Sequence, residues 1–97
     1  MKFRKLIEGL SSKTEFTNDA QIARKAMEAE LDAVSFYEQL ATKAKDKTLK
    51  KVLLEVAREE KVHIGEFETL LETLDAEYED AEKEGEKEVE DINKSKK

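Results

Sequence analysis

At positions 59–63 the chain reads Glu59-Glu60-Lys61-Val62-His63. This stretch lies within a pattern in which residues recur at steps of three and four, as on one face of a helix. That face consists of Leu49, Leu53, Val56, Glu60, His63, Phe67, Leu70 and Leu74. A carboxylate and an imidazole on an apolar face cost several kcal/mol of desolvation unless they are paired. The Glu-x-x-His spacing places Glu60 and His63 one turn apart, which is how helical bundles present metal ligands.

The composition predicts one small, helical domain. The chain has 97 residues, of which 38% are hydrophobic and 43% charged, with three Gly and no Pro. Its apolar residues are concentrated between about Ile22 and Leu74, and so short a chain buries only a modest core. We therefore expect self-association to complete the core.

The charge and the absent residue types restrict the function. A formal charge of −6 argues against nucleic acid and anionic membranes as partners and favours cations. No apolar run approaches the length of a membrane span, so we expect a cytoplasmic protein. Because the chain lacks cysteine, its strong metal ligands are carboxylate oxygen and imidazole nitrogen, which suit iron, manganese or zinc.

The capping residues and the distribution of apolar and acidic residues divide the chain into three segments. Residues 1–17 are expected to form an N-terminal arm. Residues 18–75 are predicted to form a hairpin of two antiparallel helices, because Asn18 can cap a first helix that runs to about Ala44 and Asp46 or Thr48 can cap a second. Residues 76–97 are predicted to form an acidic helix and tail, loosely docked, with Gly85 interrupting its apolar stripe.

A third ionisable residue belongs to the stripe of the first helix. That stripe consists of Ala23, Ala26, Glu30, Ala33, Tyr37, Leu40 and Ala44. If the hairpin turns between residues 45 and 46, facing positions sum to about 91. Glu30 then lies opposite position 61, between Glu60 and His63, and the three side chains are expected to converge.

One hairpin supplies half of a known ligand set. Two copies in a two-fold dimer would supply four carboxylates and two imidazoles, the set of di-iron and di-manganese carboxylate bundles, whose four negative charges balance two divalent cations. The alternative is a structural cluster in which Glu30, Glu60 and His63 satisfy one another, since Glu-x-x-His also arises by chance in a Glu-rich chain. Tyr37, on the same face as Glu30, is either core packing or a hydrogen-bond donor near the metal.

Two segments carry a resemblance to a known family. Residues 29–41 and 52–67 resemble the encapsulated ferritins, short members of the ferritin-like superfamily that are carried inside encapsulin shells. The resemblance spans about residues 20–75. It implies an all-α fold in which dimers complete four-helix bundles and assemble into a ring-shaped homodecamer. It further implies that Glu30, Glu60 and His63 are the catalytic iron ligands and that Tyr37 is their neighbour.

The resemblance also implies an activity. Such a chain is expected to be an oxidoreductase, a ferroxidase that oxidises Fe(II) with dioxygen at a centre of two iron ions per subunit pair. Its role would be iron storage and detoxification in a cytoplasmic encapsulin nanocompartment, with the shell protein as partner. Separate cargo chains of that family end in a short apolar docking peptide, which the tail ending at Lys97 lacks. Truncation, fusion to a shell protein, or a location outside a shell would each account for this.

Two other functions remain open from the sequence. One is a rubrerythrin-like peroxidase that uses the same centre to reduce hydrogen peroxide, although rubrerythrins usually bring electrons through a Cys-ligated iron and this chain has no cysteine. The other is a non-enzymatic, metal-binding helical assembly module, with the Glu and His residues holding a structural zinc ion.

Overall fold

A computed structural model of the chain describes residues 18–95 and shows three helices there. We name them α1 (Asp19–Lys43), α2 (Lys47–Leu74) and α3 (Tyr78–Ser95). The described part of the chain contains no β-strand, which confirms the predicted all-α class. The predicted N-terminal arm, residues 1–17, lies outside the described residues. Within residues 18–95, no helix combines the length and the hydropathy needed to cross a bilayer.

Side-chain caps start both helices of the hairpin. The Asn18 side chain accepts a hydrogen bond from the backbone N–H of Gln21 at 2.9 Å and begins α1. Asp46 accepts one from the N–H of Leu49 at 2.8 Å and begins α2. Each cap satisfies an N–H group that has no partner inside the helix. Because only residues 44–46 separate the helices, α1 and α2 pack antiparallel, as the sequence predicts.

The hairpin core is narrow and built largely from alanine. Leu71 is the large side chain that is fully buried in this core. The other buried residues are Ala20, Ala23, Ala33, Ala41 and Ala57. Met27, Phe67 and Tyr78 pack around the end of the hairpin that contains Leu71. Small side chains let the two helix axes approach closely, so little apolar surface is needed to hold them together.

The predicted apolar stripes coincide with this core only in part, since Ala23 and Ala33 of the first stripe are buried but several stripe leucines are not. Leu40 is 37% exposed, and Leu49, Leu70 and Leu74 are exposed by 49%, 49% and 42%. The alanine at position 41, not Leu40, is buried against α2. These four leucines therefore lie at the edge of the contact between α1 and α2, and they remain open along one side of the hairpin.

Asp75 fixes the junction between α2 and α3. Its N–H donates to the Leu71 carbonyl at 2.9 Å, and its own carbonyl accepts from the N–H of Tyr78 at 3.1 Å. One carboxylate oxygen accepts from the N–H of Glu77 at 3.1 Å, and the other from Arg24 of α1 at 3.2 Å. These bonds end α2, orient the first turn of α3 and tie both to α1.

Beyond this junction α3 leaves the hairpin. It is continuous through Gly85 and contains no buried residue. The structure measures 49 × 44 × 18 Å. Because α3 buries none of its residues, its apolar side chains Val89 and Ile92 face solvent.

Candidate metal centre

The hairpin brings Glu30, Glu60 and His63 together, as the sequence predicts. Glu30 projects from the middle of α1, and Glu60 and His63 project one turn apart from α2. His63 Nδ1 lies 3.3 Å from Glu30 Oε2 and 3.4 Å from Glu60 Oε2. One ligand atom from each residue lies within 4.8 Å of the others. These are contacts across the hairpin, so they depend on the register between the helices.

The donor set suits a divalent transition-metal ion. Two ligand atoms about 2.1 Å from one ion, at an angle of roughly 105°, are about 3.3 Å apart, and the observed separations are of this size. Two carboxylates and one imidazole, with no sulfur, match iron, manganese or zinc. Within residues 18–95 this is the one cluster of His, Asp and Glu with such spacing.

The three side chains lie at the open edge of the hairpin. The side chains of Glu30 and Glu60 are 23% and 18% exposed, whereas His63 is 45% exposed. Because Glu60 and His63 share their face of α2 with Leu49, Leu70 and the other exposed stripe residues, an apolar border surrounds the carboxylates. The arrangement is half enclosed, with one side closed by the hairpin and the other open.

Tyr37 is not bonded to this cluster. Its ring is partly buried and packs edge-to-face on Phe36, with the ring centroids 5.4 Å apart and an angle of 66° between the planes. Among the described residues its hydroxyl has no hydrogen-bond partner. The prediction that Tyr37 lies close to a bound metal therefore stays a prediction.

Sequence reasoning missed one contact at the same level of the hairpin. Glu38 of α1 pairs with Lys61 of α2 at 3.3 Å. Lys61 adjoins Glu60 in sequence but projects from the other side of α2. Neither side chain is on an apolar stripe, so the stripe pattern gives no signal for the pair. The ion pair is half exposed and contributes little stability.

Residues 21–96 match the protein-family model described as Rubrerythrin. The chain belongs to the rubrerythrin family. This match includes all three residues of the cluster.

Two proteins from Pyrococcus furiosus are similar to this rubrerythrin-family chain. It is 44% identical to a solved crystal structure of an encapsulated ferritin domain, with a TM-score of 0.75 over 82% of this chain and 84% of the other. It is also 54% identical over 57 residues to a ferritin-like–encapsulin shell fusion protein, which covers 59% of this chain. The chain matches only 16% of the length of that fusion protein. These similarities confirm the predicted ferritin-like fold.

Proposed function

We propose that the chain oxidises Fe(II) to Fe(III) with dioxygen at a di-iron carboxylate centre formed between two copies. The observation that carries this proposal is the convergence of Glu30, Glu60 and His63 within 4.8 Å at the open edge of the hairpin. Membership of the rubrerythrin family and the similarity to an encapsulated ferritin domain support iron as the metal.

A second copy would complete the centre. Ile22 of α1 and Leu49, Val52 and Leu70 of α2 are about half exposed on the side of the hairpin that carries His63. Packing this side against its equivalent in another copy would bury these residues and bring four carboxylates and two imidazoles together. Two Fe(II) ions would neutralise the four carboxylates, whereas in their absence the like charges repel.

The chemistry assigned to the centre is electron transfer from iron to dioxygen. Two Fe(II) ions give up one electron each, and dioxygen takes these two electrons and two protons to give hydrogen peroxide. Glu30 and Glu60 supply anionic oxygen, which stabilises Fe(III) more than Fe(II). His63 would supply an imidazole ligand to each iron, and the leucine side chains beside it would limit the access of water once a second copy covers them.

In the cell, the iron oxidised by this chain would pass to a mineral store within an encapsulin nanocompartment in the cytoplasm. The names of the two relatives, an encapsulated ferritin domain and a fusion to a shell protein, support this location. We further propose that dimers assemble into the ring-shaped decamer implied by the family resemblance.

Anaerobic loading with Fe(II), followed by air, tests the activity. We expect one iron per chain, hence two per subunit pair, and oxidation faster than in protein-free buffer, measured by the absorbance of Fe(III). A stoichiometry well below one iron per chain, or oxidation no faster than in buffer, would contradict the proposal.

The match to the rubrerythrin family favours a second candidate, a peroxidase that uses the same centre. The two functions differ in the oxidant that is consumed. Stopped-flow oxidation of the Fe(II)-loaded protein by equimolar dioxygen or hydrogen peroxide separates them. A strong preference for peroxide would make the peroxidase the primary function, and firmly bound zinc without oxidation would favour the non-enzymatic assembly module.

A further inference from the structure

Two alanines are the buried residues in the middle of the hairpin. Within residues 24–40 of α1 only Ala33 is buried, and within residues 47–70 of α2 only Ala57 is, with exposed fractions of 6% and 2%. The larger side chains of Leu31 and Leu54 are 53% and 45% exposed. Within these two ranges, therefore, no large side chain is fully buried between the helices.

The opposing helix of the hairpin is what covers each alanine. A side chain of one methyl group is buried on a helix only where another segment lies close against the helix backbone. Among the described residues, α3 packs at the far end of the hairpin, around Ala20, Ala23 and Leu71, and it makes no contact with α1. The burial of Ala33 and Ala57 therefore shows that α1 and α2 approach closely at the middle of the hairpin.

Both alanines lie one turn from a residue of the metal cluster. Ala33 follows Glu30 by three residues in α1, and Ala57 precedes Glu60 by three residues in α2. His63 Nδ1 lies within 3.4 Å of an oxygen of each carboxylate, so Glu30 and Glu60 are at one level of the hairpin. Because the helices are antiparallel, a step of three residues towards the turn on each helix brings Ala33 and Ala57 to one level as well. The two alanines thus belong to the layer of the contact next to the cluster.

We propose that Ala33 and Ala57 are positioning residues for the metal: because both are small, α1 lies close enough to α2 for Glu30 to reach the ion. Glu60 and His63 belong to the same helix, so their separation of 3.4 Å does not depend on the spacing between the helices. The separation of 3.3 Å between His63 and Glu30 does. This inference rests on the proposed function only in that a metal ion binds at the cluster.

The magnitudes favour such a role. The axes of packed helices lie about 8–10 Å apart, and the side chains at the contact decide the value within that range. Distances between a transition metal and its ligands are kept to within about 0.2 Å. The spread of about 2 Å that packing allows is roughly ten times this tolerance. A larger side chain at either alanine would force the closed contact apart and withdraw Glu30 from the ion.

Co(II) binding to the full-length chain tests this inference without reference to oxidation activity. We expect Ala33→Val and Ala57→Val each to weaken Co(II) binding by at least about 10-fold in isothermal titration calorimetry, since residues that orient metal ligands have effects of that size. The visible absorption of bound Co(II), which depends on the number and symmetry of its ligands, should change as well. Ala33→Ser adds a single atom and should weaken binding by an intermediate factor, which supplies the test if a valine variant does not fold.

Two controls separate the position of the ligand from the stability of the fold. Ala41 is 1% exposed but lies eleven residues from Glu30, about 16 Å along α1 at 1.5 Å per residue, so Ala41→Val should retain the wild-type affinity and spectrum. Ala33→Gly lowers helix propensity without adding bulk. It should reduce stability in chemical denaturation and still bind Co(II) within about 2-fold of the wild-type affinity.

A double-mutant cycle with Glu30→Ala shows whether Ala33 acts through that ligand. If Ala33→Val only displaces Glu30, then adding it to Glu30→Ala should change the remaining Co(II) affinity by less than about 2-fold. A general disturbance of the hairpin would instead weaken binding by the same factor in both backgrounds. Circular dichroism of each metal-free variant verifies that the helices are retained.

The outcomes distinguish this inference from the proposed function. A wild-type chain that binds no Co(II) would overturn the metal assignment and the positioning role together. Wild-type binding with unchanged affinity in Ala33→Val and Ala57→Val would overturn the positioning role alone. Weakening of equal size in Ala41→Val, or equal effects of Ala33→Val with and without Glu30, would also overturn it.

Discussion

His63 Nδ1 lies 3.3 Å from Glu30 Oε2, although 33 positions separate the two residues in the chain. Glu60, one turn before His63, lies 3.4 Å from the same nitrogen. The hairpin thus places His63 at separations from both carboxylates that suit ligands of one metal ion.

Adjacent glutamates on α2 give a matched test of the ligand assignment. Glu60→Ala removes a carboxylate from the cluster, whereas Glu59→Ala removes one from the solvated side. We expect Glu60→Ala and His63→Ala to slow Fe(II) oxidation by at least about 10- to 100-fold, since even residues that only support metal ligands have effects of that size. Glu59→Ala should retain the wild-type rate. Equal rates for Glu59→Ala and Glu60→Ala would contradict the assignment.

Removal of metal should reduce the mass of the assembly. Four carboxylates meet at the proposed interface, and at 4 Å each like-charge pair costs about 4 kcal/mol at an effective dielectric constant near 20. We therefore expect chelator-treated protein to shift towards smaller species in size-exclusion chromatography with light scattering, and Fe(II) to reverse the shift. Glu30→Ala relieves repulsion and should weaken this dependence on metal. An identical mass with and without metal would show that the cluster is not at an interface.

Neighbouring leucines of α2 distinguish the core from the open edge. Leu71 is fully buried, whereas Leu70 is 49% exposed. In metal-free protein, Leu71→Ala should lower the free energy of unfolding by about 2–5 kcal/mol, because it leaves a cavity at the end of the hairpin. In the same metal-free protein, Leu70→Ala should lower the free energy of unfolding much less. Chemical denaturation followed by circular dichroism measures both, and equal losses would be inconsistent with the packing described.

Asp75 should control the stability of the α3 junction. Asp75→Ala removes the acceptor for the N–H of Glu77 and the partner of Arg24, and we expect a loss of about 1 kcal/mol, most of it from the hydrogen bond to Glu77 because the ion pair is partly exposed. Amide hydrogen exchange should rise in the first turns of α3. Asp75→Asn keeps an oxygen acceptor, so its amide exchange rates should lie between those of the wild-type chain and Asp75→Ala. Unchanged exchange at Tyr78 and Ala81 in Asp75→Ala would exclude this role.

Tyr78 should titrate above the usual range of tyrosine. Burial against the hairpin, reinforced by the negative charge of Glu68, raises the pKa of Tyr78 from its ordinary value of 10.0. The folded chain therefore retains this proton longer than the unfolded chain, so the associated stability is present below pH 10 and is lost as the pH rises through the folded-state pKa. In Tyr37→Phe, where Tyr78 is the remaining tyrosine, the ultraviolet titration midpoint should be higher without denaturant than with it. A midpoint equal to or below that of the denatured chain would refute the shift.

The sequence predicts the hairpin and the level of the cluster because both follow from local rules. Asn18 and Asp46 mark the starts of the two helices, because their side chains can cap free N–H groups. A three-residue connection then leaves little freedom in the register between α1 and α2. Glu30, Glu60 and His63 interrupt otherwise apolar stripes, so the period of the helix alone assigns them to faces that meet. The departure of Glu-x-x-His from an apolar pattern is the signal that identifies the cluster.

The rotation of the helices about their axes was decided only by tertiary packing. The first predicted stripe includes the buried Ala23, but Ala41 and Ala57, which also lie in the core, belong to neither stripe. Small side chains permit the shortest distance between the axes, so the leucines of the stripes lie at the edge of the contact and His63 remains accessible. A helical period cannot predict this, since it assigns a residue to a face without specifying which neighbour covers that face.

The direction of α3 was likewise decided by tertiary contacts. Sequence predicts an amphipathic acidic helix after Leu74, with weak docking, but its angle depends on Asp75, whose bonds to Arg24 and Glu77 join parts of three helices. Local propensity, charge and periodicity thus determined which helices form and which side chains share a face. Packing between distant segments determined which faces are closed and which remain open, because burial depends on the distance of closest approach between helices and on contacts that no single segment encodes.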